Sequence, residues 1–280
     1  MPNKRGSDFT KLLEQLRVLS LQLTETLPED ATEFRKKKAR AALTEVYQAI
    51  HSLSDGLDPV QKPGFVFDPT DPAVAARIAG IALVAQPRRK LSSVEKSYGS
   101  GVYALYYRGS FKLYAPLSGK EHPVYVGKAD PANDGSRTPE EQGVQLEKRL
   151  NEHRKTILSA EKTLNIEDFD YRSLVVRTGW EDSTEKHLIK LFRPIWNKET
   201  RICSGFGKHG DSSKTRKHPN SAWDILHSGR RWTKNNKTKS KRSPDDIAQD
   251  IRNHIEKHPP TESIEHALRM LLAQMGNSPR

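Results

Sequence analysis

The stretch Gly101-Val102-Tyr103-Ala104-Leu105-Tyr106-Tyr107, read together with Pro123-Val124-Tyr125-Val126-Gly127-Lys128, decides the fold. Both segments are rich in β-branched and aromatic residues, which suit a pleated, buried strand. Arg108-Gly109-Ser110 supplies turn chemistry after the first. Pro123 opens the second, where a missing N–H is tolerable. Residues 111–115 read as a further short strand between them. Residues 129–142 form a polar loop. Residues 144–159 form a helix with Leu146, Leu150 and Ile157 on its apolar side. Leu174-Val175-Val176 centres a strand over residues 171–177, and a helix over 182–192 stops before Pro194. The core order is β-β-α-β-α. It predicts an α+β fold with a small, mainly antiparallel sheet flanked by helices.

On the N-terminal side, Phe9, Leu12, Leu13, Leu16, Leu19 and Leu23 recur at helical spacing. Pro28-Glu29-Asp30 breaks that helix. Ala42, Leu43, Val46, Ala49, Ile50 and Leu53 form the apolar face of a second one. Residues 1–60 thus read as a helical hairpin that must pack on the main domain or on a copy of itself. Residues 55–72 are rich in Pro, Gly and Asp and read as a linker. Residues 72–85 read as a buried small-residue helix, and 87–98 as a basic loop with a short helix. The main domain is expected over 61–243, with a helical C-terminal extension over 244–280.

The chain has 280 residues and a net charge of +12, which points to a polyanionic partner. The charge is unevenly placed. Residues 208–242 hold eleven Lys and Arg against two acids, Asp211 and Asp224, a net +9. A solvated flexible tail and a phosphate-tracking arm both fit such a run. The single cysteine, Cys203, excludes an intrachain disulfide and a multi-cysteine zinc site. Met1 to Asp8 lacks the apolar core of a secretory signal, and the longest apolar run, Ile78 to Ala85, is too short to span a bilayer. A bacterial cytoplasmic setting is expected, without membrane residence.

Several residues can carry chemistry. Glu185 opens the apolar face made by Leu188, Ile189 and Phe192. A carboxylate there is costly unless it is paired or holds a cation. Asp182-Ser183-Thr184-Glu185 also reads as a capping box, which needs no metal. Arg149 and His153 lie four apart on one helix, so their side chains meet. Arg grips phosphate and His relays protons, although Glu147, Lys148, Glu152 and Arg154 also suit a solvated helix face. Tyr103 and Tyr125 project from neighbouring strands. A phenol is a poor base by default, but nearby Lys128, Arg149 and a metal would lower its pKa. Asn197 either orients a metal ligand or water, or merely ends the helical segment.

Taken in order, Gly101-Val102-Tyr103, Tyr125-Val126-Gly127-Lys128, Arg149 with His153, Glu185 and Asn197 resemble the GIY-YIG nuclease superfamily over about residues 100–200. Val replaces Ile in both signature tripeptides, and the gap from Tyr103 to Tyr125 is longer than in the commonest members. Phe67-Asp68-Pro69, the Ala82 to Pro87 run and Trp223-Asp224-Ile225-Leu226-His227 with Gly229-Arg230 resemble the restriction-enzyme branch, over roughly residues 64–231.

The resemblance implies a type II restriction endonuclease that cuts both strands of duplex DNA. Glu185 would hold one Mg²⁺, an ion that favours oxygen ligands and phosphates. Tyr103 would activate the attacking water, with His153 as the competing base. Arg149 and Lys128 would stabilise charge on the phosphate. Lys208, Lys214, Arg216, Lys217, Arg230 and Arg231 are the candidate DNA contacts. A palindromic target suits a homodimer, with a tetramer as the larger alternative. Relatives that cut GC-rich palindromes make CCGCGG the expected target. Two alternatives stand beside this: a non-catalytic basic nucleic-acid-binding protein on the same fold, and a repair or homing nuclease of the same superfamily. No helix-hairpin-helix or zinc element is evident, and no Glu-x-Lys triplet exists to supply a PD-(D/E)XK core.

Overall fold

The computed structural model describes residues 4–26, 32–57, 59–60, 68–207, 219–233, 236, 238 and 240–274. The chain divides into two compact units, residues 1–64 and 65–280. The first holds α1 (Lys4–Glu25) and α2 (Glu33–Leu57). None of its described side chains is buried. Leu12 is 61% exposed and Leu19 55%, so the apolar stripes seen in the sequence face outward.

The second unit is built on a four-stranded antiparallel sheet in the order β1-β4-β2-β3. The strands are β1 (Arg89–Lys90), β2 (Gly101–Tyr107), β3 (Tyr125–Ala129) and β4 (Phe169–Val175). All seven residues of β2 are buried, because helices cover both faces of the sheet. Alternation along β2 sorts its side chains. Tyr103, Leu105 and Tyr107 join one core with Trp196, Phe206, Trp223 and Leu146, Leu150 and Ile157 of α5 (Gln145–Leu158). Val102, Ala104 and Tyr106 join the other core. There they meet Leu83 and Val84 of α3 (Pro72–Val84), Leu188 and Phe192 of α6 (Glu181–Phe192), and Leu271 of α9 (Ile264–Ala273). Gly80 lets α3 approach closely, since a Cβ there would stand 3.0 Å from Leu271 and 3.2 Å from Leu188.

The β-β-α-β-α order is present as β2-β3-α5-β4-α6, with the short α4 (Pro139–Gln142) before α5. Three local expectations are corrected. Residues 111–115 are no strand: Lys112–Leu117 forms a 3-10 turn with Pro116 inside it, and Phe111 and Tyr114 pack edge to face. Arg89–Lys90, in the expected basic loop, pairs instead with Asp170 and Tyr171 as an edge strand. The capping box at Asp182 is absent: α6 begins at Glu181 behind Trp180, which makes no side-chain cap.

After the short α7 (Ala222–Leu226), the stretch from 244 onward forms α8 (Pro244–Lys257) and α9, separated around Pro259-Pro260. Ile247 and Ile251 of α8 enter the first core and Leu271 of α9 the second. Full burial of such side chains contributes about 1.5–3 kcal/mol each, so both helices belong to the folding unit. Among the described residues no helix is long and apolar enough to cross a membrane.

Candidate active site

The strand register explains the two glycine-tyrosine motifs. Tyr103 pairs across the ladder with Gly127. A Cβ on Gly127 would stand 2.3 Å from the Tyr103 hydroxyl, so glycine leaves the room that the hydroxyl occupies. Gly101 sits at φ +154°, and a Cβ there would fall 2.0 Å from the Leu174 carbonyl oxygen of β4. Each glycine therefore has a steric reason to be there.

The Tyr103 hydroxyl is 2.6 Å from Nε2 of His153 on α5. His153 shares the buried face of α5 with Leu146, Leu150 and Ile157, so it does not belong to the solvated face. Its ring stacks on Phe206 at 4.6 Å and 17°, and Tyr125 meets it edge-on at 5.2 Å. Tyr103 is fully buried, and burial pushes its phenol well above the ordinary value despite Arg149 nearby. Burial likewise pushes Tyr125 up to about 12. The expected lowering by the cations is thus corrected: with this chain's own charges, desolvation outweighs them.

On the other side of the β3 edge, Glu185 stands on the second turn of α6. Burial pushes its carboxyl up to about 7. Lys128 opposes this, and Glu199, Asp182 and Asp130 add to it. Among the described residues it makes no hydrogen bond or ion pair. Lys128 is held by Asp130 at 2.7 Å and Asp182 at 3.6 Å. Asp182 bonds Lys186 rather than capping the helix. A half-buried carboxylate without a donor, in the field of three other acids, fits a divalent cation. No group of three or more His, Cys, Asp or Glu converges among the described residues. That suits Mg²⁺, which keeps several waters and needs few protein ligands.

Tyr125 and Glu185 together line a cleft with two lobes. One, of about 480 Å³, is bounded by Lys128, Asp130, Lys148, Arg149 and Glu152. The other, of about 520 Å³, is bounded by Lys198, Glu199, Gly205, Gly207 and Asn220. Arg149 donates to Glu152 at 2.7 Å and borders the first lobe. Asn197 is 3% exposed, and its amide pairs with both the N–H (3.0 Å) and the carbonyl (2.8 Å) of Val126. It pins β3 between Tyr125 and Gly127.

The DNA-contact expectations fare differently. Lys208, Lys214, Arg216 and Lys217, with the whole 208–218 stretch of the basic arm, lie outside the described residues. Arg231 is exposed, at the start of a 3-10 turn. Arg230 requires correction, because it is 2% exposed. Its guanidinium donates to the carbonyls of Gly205 (2.9 Å) and Phe206 (2.5 Å), pairs with Asp224, and lies over Trp223 and Trp232. It is an internal clamp on the loop that sets Phe206 against His153. Residue spacing alone misses Phe206 and Gly207, where a Cβ would stand 2.6 Å from the Tyr125 hydroxyl. The visible signal is an aromatic between two glycines in an otherwise basic segment.

A buried tyrosine–histidine pair, a bordering arginine and a lone helix-borne glutamate around the edge of a small antiparallel sheet define a GIY-YIG nuclease domain. Among models of protein families, that of the Eco29kI GIY-YIG domain matches residues 95–255, more than half of the chain. The chain belongs to this family of restriction-type nucleases. The match runs into α8 and leaves Phe67–Pro69 and the 82–87 run outside it. No curated protein matches the chain.

Proposed function

We propose that this protein is a type II restriction endonuclease. It hydrolyses phosphodiester bonds in both strands of a palindromic, GC-rich duplex site, with CCGCGG the first target to try. The observation that carries this reading is the single cleft that Tyr125, Lys128, Arg149 and Glu185 line, backed by the Tyr103–His153 pair at 2.6 Å. Glu185 would hold one Mg²⁺. When bound, the ion supplies Lewis-acid polarisation of the phosphate and offsets its developing charge.

The chain's own residues supply the proton path. A water near the cleft gives its proton to the Tyr103 oxygen as Tyr103 passes its own to His153 Nε2. The phenol alone is too weak a base, and the histidine behind it makes the pair competent, as in other nucleophile–base pairs. The hydroxide bonds to phosphorus as the bond to the leaving oxygen breaks, and that oxygen departs as an alkoxide that takes a proton from solvent water. Arg149 and Lys128 stabilise the charge that develops on the phosphate.

A palindrome presents two equivalent strands, which two copies related by a two-fold axis would each cut once. The exposed apolar faces of α1 and α2 support pairing of copies into a homodimer or a tetramer. We place the enzyme in a bacterial cytoplasm, within a restriction-modification system.

The test is incubation with plasmid DNA in Mg²⁺ and in EDTA. Discrete fragments in Mg²⁺ alone are expected. Glu185→Gln should lose cleavage by about 10³-fold or more while keeping DNA affinity, which phosphate contacts dominate. Undiminished cleavage by Glu185→Gln, or cleavage in EDTA, would overturn the metal assignment.

A further inference from the structure

The solvent face of α6 carries a second feature beside the cleft. Thr184, Leu188, Ile189 and Phe192 are buried, so the exposed ridge one and two turns on from Asp182 presents Lys186 and Lys190, with Arg193 just past the helix end. Arg193 adopts the left-handed conformation at φ 49°. Its side chain bonds His258 of the adjoining segment at 2.9 Å, and its carbonyl meets His254 Nε2 at 2.9 Å. These groups enclose an open pocket of about 460 Å³ lined by Lys186, Lys190, Arg193, His254, His258 and Glu199. Glu199 also borders the second lobe of the active-site cleft, so the two spaces share a wall.

Three cations and two imidazoles face one carboxylate in this pocket. Cations at a helix C-terminus also complement its dipole, which is a purely structural use. Two features go beyond that use. His254 already meets the Arg193 carbonyl at that helix end. Lys190 is exposed and, among the described residues, makes no ion pair.

We propose that this pocket is a phosphate site for the DNA strand beyond the scissile bond. It would hold the backbone as it leaves the Glu185 cleft past Glu199. The inference rests on the nuclease reading and concerns residues outside the basic arm at 208–242. The ligand is the backbone phosphodiester, recognised by charge and by N–H donors without reference to base sequence.

The test is binding of a duplex lacking any GC-rich palindrome, in EDTA, by fluorescence anisotropy from about 50 to about 200 mM salt. Lys190→Gln should lower the log–log salt slope by about 1, and Lys190→Gln/Arg193→Asn by about 2. Asn tolerates the left-handed backbone at 193. Thermal melting checks that each variant is folded, and Lys112→Gln, on the surface beside α8, should leave the slope unchanged. Inorganic phosphate at matched ionic strength should not displace the duplex. Unchanged slopes in both folded variants would overturn the proposal. So would displacement by phosphate that Lys190→Gln abolishes, since the pocket would then be a free-anion site. A wild-type protein that binds the duplex yet never cuts plasmid in Mg²⁺ would instead remove the nuclease reading, and the slopes would still decide this site.

Discussion

The molecule contains the same local geometry twice. Tyr103 and His153 meet at 2.6 Å, and so do Tyr114 and His227, in each case hydroxyl to Nε2. All four side chains are buried. The second pair is saturated by its neighbours. The Tyr114 hydroxyl accepts from Trp196 Nε1 at 2.9 Å and lies 3.7 Å from Cys203 Sγ, while His227 Nδ1 meets Thr163 Oγ1 at 2.9 Å. The first pair stands behind a cleft, within the fields of Arg149 and Glu185. A tyrosine–histidine hydrogen bond is therefore not a catalytic signature in itself. What sets the proposed catalytic pair apart is Arg149 beside it and the cleft in front of it.

Removing each hydroxyl in turn is the strongest way to break this comparison. Tyr103→Phe should lower the cleavage rate by about 10²- to 10⁴-fold, the usual scale for a group that moves a proton. Tyr114→Phe should cleave at close to the wild-type rate but unfold more easily. It strips a partner from both Trp196 and His227, at about 1–3 kcal/mol for each group left unsatisfied. Single-turnover cleavage and chemical denaturation of both variants supply the two readouts. If Tyr103→Phe cut normally and lost only stability, both pairs would be structural and the base would have to be sought elsewhere.

The pairs also differ in how far the sequence reveals them. Tyr103, Tyr125, Arg149, His153 and Glu185 are legible because they fall on recognisable strands and helices in a recognisable order. Tyr114–His227 is not, since it spans a 3-10 turn and a loop. Phe111 and Tyr114 sit where alternation suggests a strand, but Pro116 cannot serve a ladder. Arg230 misleads for the opposite reason. It belongs to a basic run by sequence, yet its guanidinium is consumed by two carbonyls and Asp224. Charge counts do not distinguish a buried arginine from a solvated one. The β1 edge strand has only two residues, both exposed, and leaves no pattern to read.

Acid sharpens the contrast from the structural side. Burial holds His227 at about 3, with Arg230 adding to the effect, and His122 is likewise held at about 3. Both titrate near 6.5 when unfolded. Their folded pKa values are depressed, so the unfolded chain takes up protons first as pH falls. Stability is full above about 6.5 and is lost progressively toward pH 3. The loss is several kcal/mol in order of magnitude for the two together, since each tenfold change in acidity is worth about 1.4 kcal/mol. His227→Gln should move the midpoint of acid unfolding to lower pH. An unmoved midpoint would mean that this histidine is already charged in the folded protein.

The smallest effect tests what the surroundings of the Tyr103–His153 pair cost the fold. Glu185 titrates at about 7 in the folded protein against about 4.5 unfolded. A raised acid contributes stability that is fully present below about 4.5 and is lost as pH rises through 7. At pH 8 the ionised, half-buried carboxylate therefore opposes folding, by about 1–2 kcal/mol once screening by the water that reaches it is allowed for. Glu185→Gln removes that opposition. It should be more stable than the wild type at pH 8, with a Tm higher by a few degrees, and equal to it near pH 4. If Glu185 holds Mg²⁺ as proposed, the ion stabilises the folded protein by mass action, so it should raise the wild-type Tm at pH 8 and leave that of Glu185→Gln in place. No comparable gain is available at the Tyr114–His227 pair, where every substitution discards a satisfied hydrogen bond. If Glu185→Gln were less stable than the wild type at pH 8, or if Mg²⁺ stabilised both proteins equally, Glu185 would be a structural acid and the distinction between the two pairs would rest on Arg149 alone.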